Sequence, residues 1–122
     1  MFNFEKLDVW QRANEFADLV YKLTRTFPDD ERFGLTNQMR RAAVSISSNI
    51  AEGSARSSRN DNARFLEIAT GSLFEVVAQS SISRRQGFLT EPDFKTLYTT
   101  ADELGRMLSG LRHSLRETAR TD

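Results

Sequence analysis

The 122-residue chain has no cysteine and a single histidine, His113. Thiolate nucleophiles, disulfide frameworks and iron–sulfur clusters are thereby excluded, and with them nearly every structural zinc arrangement, since those sites draw their ligands from these two residue types. A reducing cytoplasm suits such a composition. Only two prolines occur, Pro28 and Pro92, each beside polar residues that favour a turn, so long stretches are free of the residue that breaks helices. No run of about 18 uninterrupted apolar residues is present, and the opening MFNFEKLDVW has no basic segment ahead of an apolar one. The expectation is a chain with no membrane partner and no secretory signal. Glycines are few and never fall into GxxxxGK(S/T), GxGxxG or GxSxG, which leaves phosphate cradles, dinucleotide sites and nucleophile elbows without the residues they require.

Charge of either sign is not in excess, for the formal net charge is zero. Its distribution is uneven. Residues 1–31 carry four basic and seven acidic side chains, 32–64 six and two, 65–103 three and six, and 104–122 four and two. Of the 17 basic residues 14 are arginine, a type suited to planar two-point contacts with carboxylate or phosphate.

What is present is helical periodicity. Val9, Trp10, Ala13, Phe16, Ala17, Val20 and Leu23 recur at three- and four-residue steps and predict a first helix over about Asp8 to Thr26, with Asp8 as cap and Pro28 as terminator. A second helix is expected from near Arg32–Leu35 to Glu52, its inner face built from Leu35, Met39, Ala42, Ala43, Ile46 and Ile50. Gly53 then stands where a left-handed helix terminus commonly falls. Ser58, with Asp61 three residues on, reads as the cap of a third helix, Arg59 to Arg85. Its apolar side is expected to be Phe65, Ile68, Ala69, Ser72, Leu73, Val76 and Ile82. Gly71 lies in mid-helix, where glycine costs about 1 kcal/mol against alanine, so close approach of the second helix is the expected compensation. Gln86-Gly87 closes the third helix and Thr90-Glu91-Pro92-Asp93 opens a fourth. There Phe94, Leu97, Ala101, Leu104, Leu108, Leu111 and Leu115 step by 3, 4, 3, 4, 3, 4, a heptad seam that needs a partner.

Four long helices with short turns give an all-α fold, an antiparallel up-down-up-down four-helix bundle, in one domain over 1–122. A short arm, 1–7, precedes it, and a tail, 117–122, is expected to fray. Phe2 and Phe4 are too apolar for a free arm; with Trp10 and Tyr21 they point either to subunit association or to the arm packing over its own bundle end.

Candidate chemistry is sparse. His113 follows Gly110 by three residues, so the Glu-x-x-His pair of bundle-core di-iron sites is missing, and the lone histidine reads as a partly solvated structural residue. Gln38, Asn49 and Glu52 on the second helix and Glu75 on the third suggest a polar cluster, structural or interfacial rather than catalytic. Glu52, close to a helix C-terminus, calls for a cation from Arg56, Arg40 or Arg41. No catalytic, cofactor-binding or metal-ligating residue is assigned. Arg40, Arg41, Arg56, Arg59 and Arg64, near the turn between the second and third helices, are candidates for contacting phosphates, although no aromatic residue lies among 34–64 to stack on bases.

The segment LDVWQRANEFADLVYKLTRTFPDDERFGLTNQMRRAAVSISSNIAEGSARSS, followed by FLEIATGSLFEVVAQ and GFLT, resembles the four-helix-bundle protein family also called the 23S rRNA intervening-sequence protein family. The likeness spans residues 7 to about 111 and departs from the family pattern at Ser47, where members often have proline. The resemblance implies a homo-oligomer, a ring-shaped pentamer, and a distant similarity to an accessory protein of retroelements that binds nucleic acid and a reverse transcriptase. It brings no catalytic residues, and marks Arg40, Arg41, Asn49, Glu52 and Gly53 as recurrent positions, bundle and interface determinants. With Trp10, Gly71 and Glu75 these complete the expected structural and interface set. The functional expectation is a non-enzymatic homo-oligomeric scaffold of the cytoplasm. The alternative is an accessory protein that binds RNA or DNA, beside a nucleic-acid-processing protein, through the arginine-rich face.

Overall fold

The structure, a computed structural model, describes residues 1–121, with side chains as far as Glu117. Four helices carry the chain: α1 (Asp8–Thr24), α2 (Leu35–Ser54), α3 (Arg59–Arg85) and α4 (Glu91–Thr121). No strand occurs among the described residues. A 3-10 helix, Asn3–Lys6, lies before α1, and a second, Asp29–Glu31, sits between α1 and α2. The fraying expected of 117–122 falls on residues that lie, from Thr118 on, outside the described side chains.

Several boundaries follow the local chemistry. The hydroxyl of Ser58 accepts a hydrogen bond from the Asp61 backbone N–H at 3.0 Å, and that of Thr90 accepts one from Asp93 N–H at 3.2 Å. Each satisfies a donor that the first helical turn leaves open. At the far end of α3, Gly87 takes φ 80°, the left-handed region that glycine enters without penalty. Phe88 N–H reaches Ser83 C=O at 2.9 Å and Gly87 N–H reaches Arg84 C=O at 3.0 Å, the paired bonds of a Schellman terminus.

Other expectations are corrected. Asp8 is the first helical residue, not the cap: the 3-10 helix delivers the chain to an extended Leu7, which takes the cap position without a side-chain bond. The first helix stops at Thr24, two residues early, because Phe27 turns inward to meet Phe88 at 5.9 Å between ring centroids. Gly53 is not a left-handed terminus. It lies inside α2 and is buried, and a Cβ there would stand 2.9 Å from Cβ of Phe65 and 2.8 Å from Oδ1 of Asn62. The missing side chain lets α3 seat directly on α2. Gly71, to which that role was assigned, is exposed with nothing within 4 Å of an added Cβ.

The pairing of residues gives the order of the bundle. Gln38 meets Gln79, Ser45 meets Ser72 and Gly53 meets Phe65, so numbers rise along α2 as they fall along α3. Arg40 with Thr24 and Ser47 with Asn14 set α1 against α2 in the same sense. Leu73 beside Gly105 and Arg84 beside Glu91 do so for α3 and α4. Helices α1 and α4 also pack on each other, with Arg12 3.8 Å from Glu103, whereas among the described residues the backbones of α1 and α3, and of α2 and α4, do not come within 8 Å of each other between Cα atoms. That is a four-helix bundle with sequential neighbours antiparallel.

At its centre Phe16, Val20, Met39, Ile46, Ile50, Leu66, Leu73, Val76, Leu97, Leu104 and Leu108 are fully buried. Each contributes roughly 1.5–3 kcal/mol of apolar burial. The heptad seam of α4 faces inward as its spacing requires, with Phe94, Leu111 and Leu115 completing the two ends. Ile68 and Ile82, expected inside, are 41 % and 49 % exposed, because α3 carries apolar residues on more than one side and only one side of it can face the core. Buried serines on α3 satisfy themselves locally: Ser80 donates to Val77 C=O at 2.7 Å and Ser83 to Gln79 C=O at 2.8 Å.

Candidate interaction surfaces

The arginines of the α2–α3 turn are organised by one phenylalanine and one aspartate. Phe65, near the start of α3, lies under the guanidinium of Arg56 at 4.4 Å and that of Arg64 at 4.8 Å. Asp61 stands between the same two, 3.0 Å from Arg64 and 4.0 Å from Arg56. Both cations are held in place while still open to water. Arg59 is exposed on the same turn. Arg116, reaching across from α4, pairs with Glu67, one turn along α3 from Arg64.

Arg40 and Arg41 are not part of that group. Arg41 is separated from Ser54 at the end of α2 by thirteen residues, about 20 Å of helix. Arg40 points at α1 instead: Nε donates to Thr24 Oγ1 at 2.9 Å, Nη2 to Tyr21 C=O at 3.3 Å, and the guanidinium lies 4.6 Å from the Tyr21 ring centroid. Thr24, 2 % exposed, in turn donates to Val20 C=O. Arg40 therefore straps α1 to α2. The arginine face drawn from the sequence is in space a pair, Arg56 and Arg64, with Arg59 exposed nearby at the start of α3, plus a strap and an outlier.

The expected polar cluster also divides. Because Gly53 pairs with Phe65 and Ser45 with Ser72, Glu52 and Glu75 stand about ten residue steps apart along the bundle, about 15 Å, too far for paired acid–base work. Both are exposed. Asn49 is spent within α2, donating to Ser45 C=O at 2.8 Å and Ser45 Oγ at 3.0 Å. Gln38, Arg41, Ser45, Ser72, Glu75 and Gln79 line a shallow polar groove between α2 and α3. His113 is exposed on α4 with Nε2 3.2 Å from Glu117, a surface contact. No three metal-ligating side chains converge among the described residues.

The largest features are apolar. Trp10 is partly buried against the core and takes Phe4 edge-on at 5.0 Å, and Phe2 stacks on Phe4 at 5.9 Å while remaining 72 % exposed. The arm thus folds over its own bundle end yet still presents an aromatic ring. On the opposite face a groove of about 740 Å³ runs between α3 and α4, with Phe74, Val77, Ala78, Tyr98, Ala101 and Gly105 among its walls. Phe74 is 67 % and Tyr98 54 % exposed. Sequence reasoning did not find this groove; the signal was available in α3, where Phe74, Ala78 and Ile82 form a second stripe at helical spacing beside the core stripe.

Residues 5–110 match the 23S rRNA-intervening sequence protein family. The chain belongs to that family. A solved structure superposes with TM-score 0.79 and 23 % identity, covering 86 % of this chain and 95 % of the other, a protein of unknown function of the S23 ribosomal protein family from Bacteroides thetaiotaomicron. At that identity the likeness speaks for the fold. No curated protein matches.

In this family member the recurrent positions have separate tasks. Arg40 straps α1, Gly53 seats α3 and Asn49 ties down a turn of α2, while Arg41 and Glu52 face solvent. Ser47, the position at which the chain departs from the family pattern, donates to Asn14 Oδ1 at 2.6 Å and adds a second link between α1 and α2.

Proposed function

We propose that this family member is a non-enzymatic, homo-oligomeric helical bundle that serves as an interaction scaffold in the cytoplasm, with the five-membered ring implied by its family resemblance as the assembly. The observation that carries this reading is the exposure of Phe2, Phe74 and Tyr98 at 72 %, 67 % and 54 % on a chain whose four helices already enclose a complete core. Single apolar residues on a surface are ordinary, but Phe74 and Tyr98 share one groove, and contiguous apolar ground of this kind belongs to interfaces. Light scattering after size exclusion at micromolar concentration tests it. A mass several times that of one chain is expected, and the mass of a single chain refutes the reading.

A second reading, an accessory protein that binds RNA or DNA beside a nucleic-acid-processing partner, draws on the turn between α2 and α3. Arg56 and Arg64 are presented in fixed positions by Phe65 and Asp61, with Arg59 between them in sequence. Binding to structured RNA measured at two salt concentrations checks it: affinity that falls as salt rises and weakens on Arg64→Ala supports the reading, and no affinity at low salt removes it.

A further inference from the structure

Arg41 and Glu52 are charges to which the fold of one chain gives no partner. Neither enters an ion pair among the described residues, and Arg56, four positions past Glu52, is turned to Phe65 and Asp61 instead. Both lie on one exposed stripe of α2, formed by Arg41, Val44, Ser48 and Glu52 at steps of three, four and four. The stripe therefore has a cation at one end and an anion about 16 Å away at the other. Between them stands Val44, 45 % exposed.

The groove between α3 and α4 carries the inverse arrangement. Along its α4 wall Asp102 precedes Arg112 by ten residues, about 15 Å, with Gly105 and Ser109 between them. Arg112 is half-buried and enters no ion pair among the described residues. Asp102 meets Arg106 through Oδ2 at 3.0 Å, but both side chains are largely exposed, so the carboxylate is open to a second cation.

The heights agree as well as the charges. Ser45 meets Ser72, and Leu73 lies beside Gly105, so Val44 is level with Leu73 and through it with Gly105, 61 positions later in the chain. Helices α2 and α4 both run against α3 and hence parallel to each other, and the same offset holds along them. It sets Arg41 level with Asp102, Ser48 with Ser109, and Glu52 with His113, next to Arg112. Within one chain these pairs cannot meet, because the stripe faces solvent and the two helices are diagonal in the bundle.

We propose that the α3–α4 groove is occupied by the exposed α2 stripe of a second copy of this chain, with Val44 against Phe74 and Gly105, Arg41 on Asp102 and Glu52 on Arg112. The proposal rests on the oligomeric reading and specifies its interface. Small residues, Ser48 opposite Ser109 and Gly105 opposite Val44, let the two helix axes approach to about 8 Å. Charge fixes the direction: an incoming α2 set the other way round would bring Arg41 to Arg112 and Glu52 to Asp102, like against like. Stripe and groove are different surfaces, so the contact is heterologous, and copies follow one another by a repeated rotation. Because matched positions already share a height within each chain, that rotation carries no rise, which is the condition for a closed ring rather than a filament.

Directionality supplies the test. Val44→Asp spoils the stripe and keeps the groove; Phe74→Asp spoils the groove and keeps the stripe. Both positions are exposed, so each variant is expected to retain the helical circular dichroism of the parent, and Ser48→Arg or Tyr98→Asp takes the place of one that does not fold. Each alone is expected to run as a single chain by size exclusion with light scattering, and an equimolar mixture to form a complex of two chains and no larger species. Glu52→Arg and Arg112→Glu are expected each to weaken assembly by about tenfold or more, and their combination in one chain to restore it. Arg41→Asp with Asp102→Arg forms a second such pair. A parent protein that is itself a single chain overturns the oligomeric reading and this one together. An oligomeric parent whose mass survives Val44→Asp, a mixture that yields no complex, or paired charge reversals that restore nothing overturn only the contact of α2 with the groove, as does a mass that keeps growing with concentration in the manner of a filament.

Discussion

Adding one methyl group at Gly53 sets two known effects against each other. Alanine is the better helix former by up to about 1 kcal/mol, and by less here because Gly53 is the last residue but one of α2. Against this, the new Cβ would lie 2.8 Å from Asn62 Oδ1, 2.9 Å from Phe65 Cβ and 3.2 Å from the Asn62 carbonyl oxygen. Two of those three atoms belong to the α3 backbone or the first side-chain carbon, which cannot rotate aside, so the helices must part by about half an ångström. Forced overpacking of this kind costs about 1–3 kcal/mol. The repulsion wins, and Gly53→Ala is expected to lose about 1–2 kcal/mol. At Gly71 the same substitution meets nothing within 4 Å, leaving only the propensity gain of about 1 kcal/mol. Urea unfolding followed by far-ultraviolet circular dichroism, at one fixed protein concentration so that association does not shift the result, separates the two. With a slope of about 2 kcal/mol per molar, the midpoint should fall by about 0.5–1 M for Gly53→Ala and rise by about 0.5 M for Gly71→Ala. An unchanged or raised midpoint for Gly53→Ala refutes the argument that α2 and α3 meet through that missing side chain.

The strap from Arg40 to Thr24 and Tyr21 should cost about 2 kcal/mol when truncated in Arg40→Ala, and Arg40→Lys should recover only a minor part, since an ammonium cannot reproduce the Nε bond and the flat stacking together; thermal or urea unfolding reads both. Gly87→Ala, at φ 80°, should lose about 1–2 kcal/mol in the same assay, and a neutral result contradicts the left-handed terminus of α3. Ser58→Ala should lose about 1 kcal/mol while Ser57→Ala, one residue earlier and without a capping bond, stays close to the parent.

The helices themselves were legible because their information is local and repeated. Six steps of alternating three and four in α4, or a serine three residues before an acid at Ser58, each state a structure without reference to the rest of the chain. Gly53 and Gly71 show where this kind of reading stops. Both are glycines near or within helices, and only the relative height of α2 and α3 decides which one faces a neighbour. The arginines failed in the same way. Arg40 and Arg56 look close in a list of basic residues, but 16 positions, most of them the helix α2, separate them, and the aromatic partner of each, Tyr21 and Phe65, comes from a different element. Ile68 and Ile82 misled because α3 is apolar on two sides, and periodicity alone does not say which side is inside. The second stripe was visible; what it faces was not.

The closeness of α2 and α3 bears on how this chain can change over generations. Where Gly53 faces Phe65 and Asn62, every available mutation enlarges the side chain, and the added bulk meets the neighbouring helix at once. The leucine rows of α4 differ, since isoleucine, methionine or valine can replace one member while another shifts. Drift in such a lineage should accordingly be slow along one wall of the bundle and permissive along the other three.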